Sequence, residues 1–115
     1  MKKRISIFIL VATLMITSLN VLAGSTNRSL GNGALAKLNA YANSIVATTT
    51  GSPSGTPDSE IRTIAYGNYG NPGQYSAVSS SGVTRASVTP PTSTFYMGSS
   101  SHRSGAYSDY LSVYV

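Results

Sequence analysis

The sequence predicts an all-β protein, a small antiparallel β-sandwich or barrel that follows an N-terminal signal peptide. Three observations carry that expectation. From residue 34 onward, short β-branched and tyrosine-bearing runs alternate with Gly, Pro, Asn and Ser turn signals. The chain has no cysteine, so packing and hydrogen bonds alone must hold a small domain together. Its opening residues have the layout of an export signal.

That signal starts with Lys2, Lys3 and Arg4 and continues through an apolar run from Ile5 to Ile16. A polar break at Thr17, Ser18 and Asn20 leads to Val21-Leu22-Ala23, whose small residues suit cleavage after Ala23. The apolar run is shorter than the ~20 residues a bilayer core requires, so no stable membrane span is expected after cleavage. The expected location is secreted, with Gly24 as the first residue of the working protein.

Removing residues 1–23 removes three of the eight cations, and the formal charge of +5 falls to +2. Arg28, Lys37, Arg62, Arg85 and Arg103 are then scattered singly along the chain. A nucleic-acid partner would call for a clustered basic face, so none is expected. Aliphatic residues are few, whereas eight tyrosines are present. Tyrosine can bury a large ring with its hydroxyl satisfied at the edge of a thin core, and the tyrosines are expected to supplement the core in that way.

Residues 24–33 (GSTNRSLGNG) form a polar, glycine-rich stretch, expected to be a flexible N-terminal arm or a late-starting first strand. A single β domain is expected from 34 to 115. Within it, residues 34–47 carry a helical stripe (Ala34, Leu35, Leu38, Tyr41, Ala42, Ile45, Val46), yet Ile45 to Thr50 is β-branched. The preferred reading is two strands, 35–41 and 44–50, with a single helix as the alternative. Residues 51–58 (GSPSGTPD) hold two prolines and two glycines and read as a loop. Strands are then expected at 60–66, 74–79, 83–88, 93–98 and 106–115. In the last, Leu111, Val113 and Val115 share one face while Ser108, Tyr110, Ser112 and Tyr114 share the other, which makes it a candidate central strand.

Catalytic and metal chemistry find little support. Serines are abundant, and His102 with Asp109 could complete a Ser-His-Asp set, but no nucleophile elbow is present and no enzyme is expected. Asp58 and Glu60 are the only nearby carboxylate pair and sit where a proline-rich loop meets a strand. One histidine and three scattered acids do not assemble a metal site, and no cofactor is expected.

Binding residues are better represented. Residues 66–75 (YGNYGNPGQY) interleave Tyr66, Tyr69 and Tyr75 with glycines and side-chain amides, the composition of adaptable binding loops and equally of a long hairpin. His102 lies in the polar stretch 98–105, read as a flexible loop in which the ring is either pinned by one hydrogen bond or acts as a contact residue or pH-sensitive latch. With Tyr110 and Tyr114 of the last strand, these are the candidate binding residues. The expected partners are a component of the cell envelope or a second copy of the chain.

With its export signal, its lack of cysteine and its ending His102-Arg-Ser-Gly-Ala-Tyr-Ser-Asp-Tyr-Leu-Ser-Val-Tyr114, the chain resembles small uncharacterised secreted β proteins of Gram-positive bacteria. That resemblance implies a fold and a compartment. More weakly, Gly105-Ala-Tyr-Ser-Asp-Tyr110 is similar to the Ser/Tyr-rich stretches of lactococcin-type bacteriocins, which are exported, cysteine-free, small β-sandwiches. The chain departs from them in lacking tryptophan and histidine-rich segments. This likeness implies antibacterial action as an alternative to simple binding.

Overall fold

The computed structural model describes residues 22–71, 73 and 76–115. Most of the expected signal (1–21) and the candidate residue Tyr75 lie outside the described residues. Eight strands run in order: β1 (Leu22–Ser29), β2 (Leu35–Tyr41), β3 (Ile45–Thr50), β4 (Ile61–Tyr69), β5 (Ala77–Gly82), β6 (Arg85–Val88), β7 (Phe95–Ser104) and β8 (Tyr107–Tyr114). They make two four-stranded sheets, β1-β2-β3-β6 and β5-β4-β7-β8, antiparallel throughout. The sheets stack face to face, with β2 and β3 packed across β7. They stay separate and do not close on themselves, which removes the barrel alternative.

Residues 35–50 form two strands because their burial follows a period of two. Ala36, Leu38 and Ala40 are buried while Leu35 and Lys37 are exposed, and Ile45, Ala47 and Thr49 continue the pattern on β3. The helical stripe arises because alanine and leucine also fall at helical spacing. Pairing with a β-branched neighbour decides between the two patterns.

Three further expectations are corrected. Residues 24–29 are neither an arm nor a late strand, since they pair with β2 in a regular ladder from Gly24↔Ala40 to Ser29↔Leu35. The register shifts between Leu22 and Gly24, so regular pairing starts at Gly24. Strand β8 is an edge strand, and β4 and β7 occupy the centre. Finally, β7 runs on through the polar stretch assigned to a loop, as far as Ser104. A tight two-residue turn then follows, with Gly105 at φ 62°, where an L-residue is strained.

The core is thin and built from small residues. Ala34, Ala36, Ala40, Ala47, Ala65 and Ala86 are buried alongside Leu38, Ile45, Phe95 and Leu111. The sheets approach so closely that a Cβ on Gly98 would stand 2.7 Å from Ile45 Cδ1, and within one sheet a Cβ on Gly67 would overlap the Phe95 ring. A bulge opposite Asn68 and Tyr69 leaves Tyr96 without a partner on β4 and lets both Phe95 and Gly98 face inward. None of the described tyrosines is fully buried; Tyr69 packs partly against the core, and Tyr107, Tyr110 and Tyr114 are exposed. Alanine, hydroxyls and one histidine take the place expected for tyrosine, and among the described residues the phenyl ring fully in the core is that of Phe95, seated over Gly67.

Candidate binding face and buried histidine

Strand parity sends the expected site residues to two different places. On the sheet β5-β4-β7-β8, residues 61, 63, 65 and 67 of β4 are buried, so Arg62, Ile64, Tyr66 and Asn68 lie on the outer face. Register sets Tyr66 opposite Ser99, Ser101 opposite Tyr110, and Met97 opposite Tyr114. The Tyr66 and Tyr110 rings come from strands separated by β7, yet their centroids are 6.5 Å apart at a 41° tilt. Both rings therefore lean over the serines of β7. Ser99 is only 4% exposed although it sits on the outer face, which fits a residue roofed by aromatic rings.

Tyr114 belongs to the same face at the end of β8 and is 75% exposed. The outer surface is thus a plate of serines (Ser79, Ser81, Ser99, Ser101, Ser108, Ser112) set with tyrosines. The hairpin β4–β5 encloses the stretch 66–75 anticipated as a binding loop, but Tyr66 and Tyr69 are strand residues. Tyr69 faces the core side and does not join the plate.

His102 is on the opposite side of the sheet and is 0% exposed, so it can be neither a loop residue nor a surface contact. Its ring sits between Ser100 Oγ, 2.6 Å from Nε2, and Thr49 Oγ1, 2.9 Å from Nδ1. Thr49 Oγ1 meets Thr63 Oγ1 at 2.8 Å, and Thr63 donates to the Val83 carbonyl at 2.7 Å.

The last bond orders all the others. A carbonyl can only accept, so the Thr63 hydroxyl proton is committed to Val83 and Thr63 must accept from Thr49. Thr49 in turn accepts from Nδ1–H of His102, which leaves Nε2 to accept from the Ser100 hydroxyl. One directed chain, Ser100 to His102 to Thr49 to Thr63 to Val83, crosses between the two sheets and fixes the neutral Nδ1–H tautomer. Beside it, Asn32 Nδ2 donates to both the carbonyl and Oγ of Ser104, and Ser52 Oγ lies 3.0 Å from Ser104 Oγ. Every buried side-chain polar atom among the described residues has a partner.

Burial pushes the His102 pKa below 6.5, because the charged ring would lose water; the Thr48 carbonyl and the Asp109 charge oppose that shift. Asp109 pairs with His102 in the β7–β8 register, but its carboxylate accepts from the Tyr110 N–H and from Arg28 of β1 at 3.2 Å. The Tyr110 N–H first, and Arg28 after it, hold the Asp109 pKa below 3.8. Ser100 and His102 resemble a nucleophile and base by distance alone. Ser100 is also 0% exposed, and Nδ1 meets a threonine where a triad would place a carboxylate.

Sequence reasoning missed Thr49, Thr63 and Ser100, the partners of the ring, and the pairing of Arg62 with Arg103. The available signal was the alternation Gly98, Ser100, His102, Ser104 on one parity of β7, hidden by the glycine- and serine-rich composition. Among the described residues no group of three or more His, Cys, Asp or Glu side chains could hold a metal ion, and no helix is long and apolar enough to cross a membrane. No protein-family model, curated protein or solved structure matches the chain.

Proposed function

We propose that the protein is exported and acts without catalysis, by binding a component of the cell envelope through the outer face of the sheet β5-β4-β7-β8. The observation that carries this reading is the Tyr66–Tyr110 pair, 6.5 Å apart above the serines of β7 and outside the core. Large rings that contribute nothing to core packing, set among hydroxyls that can donate and accept, supply rigid contact area with adaptable hydrogen bonding. Export is supported by the layout of residues 1–23 together with the start of the regular β1 ladder at Gly24, the residue a cut after Ala23 would leave first. The absence of catalysis is supported by the closure of Ser100 and His102 to solvent.

The test is co-sedimentation of the purified protein with isolated cell envelopes, beside a Tyr66→Ala/Tyr110→Ala variant. Binding that the double variant loses, with its melting temperature unchanged, supports the reading. A protein that sediments with no envelope fraction and is monomeric by light scattering overturns it. The bacteriocin-like alternative is assayed in the same preparation by growth inhibition of related bacteria.

A further inference from the structure

The outer face carries one feature that the tyrosines do not explain. Arg62 of β4 and Arg103 of β7 are direct cross-strand partners, and both are exposed. Like charges placed opposite each other oppose folding, and natural sheets usually set a carboxylate there. The chain has only three acids, Asp58, Glu60 and Asp109, all among the described residues. The ion pair found among those residues joins Arg28 to Asp109, so neither Arg62 nor Arg103 is held in an ion pair, although Asp58 lines the same surface cleft as Arg62. Glu60 reaches the turn at Gly105 without pairing with either arginine. Arg103 Nε donates to the Gly105 carbonyl at 3.1 Å, which anchors the guanidinium and leaves its outer N–H groups free.

Register places these arginines one row from Tyr110 and two rows from Tyr66. Arg103 opposes Ser108, and the next outward row is Ile64, Ser101 and Tyr110. Outward rows are separated by about 6.6 Å along a strand.

Resting on the binding reading above, we propose that this face recognises a glycan bearing phosphate groups: the Arg62–Arg103 pair takes the phosphate, and Tyr110 with Tyr66 takes the neighbouring sugar. Two guanidinium forks present several donors to tetrahedral phosphate oxygens. The aromatic faces meet the C–H face of the sugar ring, and the hydroxyls of Ser101 and Ser108 meet its own hydroxyls. Charge is confined to a single row, which suits a glycan of sparse charge better than a nucleic acid, whose continuous phosphates call for a track of cations.

Affinity electrophoresis of the purified protein through gels containing phosphorylated dextran, neutral dextran, inorganic polyphosphate or poly(dT) tests the proposal. Phosphorylated dextran is expected to retard the protein at least tenfold more strongly than the other three, with retardation weakened by salt. Arg62→Gln/Arg103→Gln and Tyr110→Ala should each reduce retardation about tenfold without lowering the melting temperature, which the arginine double variant should hold or raise by relieving the like-charge pair. Equal retardation by polyphosphate or poly(dT), or full retardation of the arginine double variant, overturns the proposal. Envelope co-sedimentation of the same variants separates the two levels. Binding retained by Arg62→Gln/Arg103→Gln but lost by Tyr66→Ala/Tyr110→Ala refutes the phosphate assignment and keeps the aromatic face.

Discussion

The two ends of the core are held by different forces. At one end Ala40, Ile45, Val88 and Phe95, flanked by the half-buried Tyr69, pack against Gly67 and Gly98, with no fully buried polar side chain among them. At the other, Thr49, Thr63, Ser100, His102 and Ser104 fill the same interlayer space, the first four bound to one another and Ser104 bound to Asn32 and Ser52. These five, with Leu38 and Ile45, are the largest fully buried side chains of the described residues. The apolar end gains from the area removed from water and is indifferent to direction. The polar end gains little net energy per hydrogen bond and is costly when one is lost, so it specifies register more than it stabilises.

The contrast can be broken at either end. The largest effect is expected at the apolar end: Ile45→Ala should cost ~2–5 kcal/mol in urea unfolding, because Gly98 offers no side chain to refill the space. At the polar end, His102→Leu keeps most of the volume but strands the Ser100 donor and the Thr49 acceptor, for a loss of ~2–4 kcal/mol. A loss under about 1 kcal/mol there would show that the directed chain is incidental to stability.

Acid should discriminate further between the two ends. The His102 pKa is lowered by folding, so below pH 6.5 the unfolded chain holds one more proton than the native one. Stability is therefore full above pH 6.5 and falls as pH drops from there toward the folded pKa, by at most about 1.4 kcal/mol per pH unit. Asp109, whose pKa is lowered from 3.8, adds to the loss only as the pH nears that value. Ile45→Ala should keep this pH slope, whereas His102→Leu should lose it.

A milder perturbation of the polar end is Thr63→Val, which removes one link and leaves the Val83 carbonyl without its donor, at a cost of ~1–2 kcal/mol. The smallest effect is expected outside the core. Arg28→Ala breaks an ion pair whose arginine side chain is 62% exposed, and chemical denaturation should register less than about 1 kcal/mol.

The apolar end was largely legible from the chain. Ile45 to Thr50, the alternation from Leu35 to Tyr41 and the parity of Leu111 and Val113 all follow from side-chain chemistry and a period of two. The polar end was not. Ser100, His102 and Ser104 look like a loop because serine and glycine dominate turns, and their burial depends on partners more than thirty residues away. The edge position of β8 was hidden for a related reason. A well-patterned strand announces its faces but not how many neighbours it has. On the outer face, Tyr66 and Tyr110 could be singled out by composition, but their meeting across β7, and that of Arg62 with Arg103, depended on register.

The contact between β1 and β8 bears on the order in which the chain can fold. Arg28 reaches Asp109 across 81 residues, and Gly24 lies so close that an added Cβ would stand 2.6 Å from the Val113 side chain. β1 can pair with β2 as soon as both exist, but its flank has nothing to rest on until the last strand is made. A chain that emerges from its N-terminus first must leave that side of the core wet until β8 has been made. Closing that flank is thus a long-range contact, of the kind whose loop-closure cost slows folding.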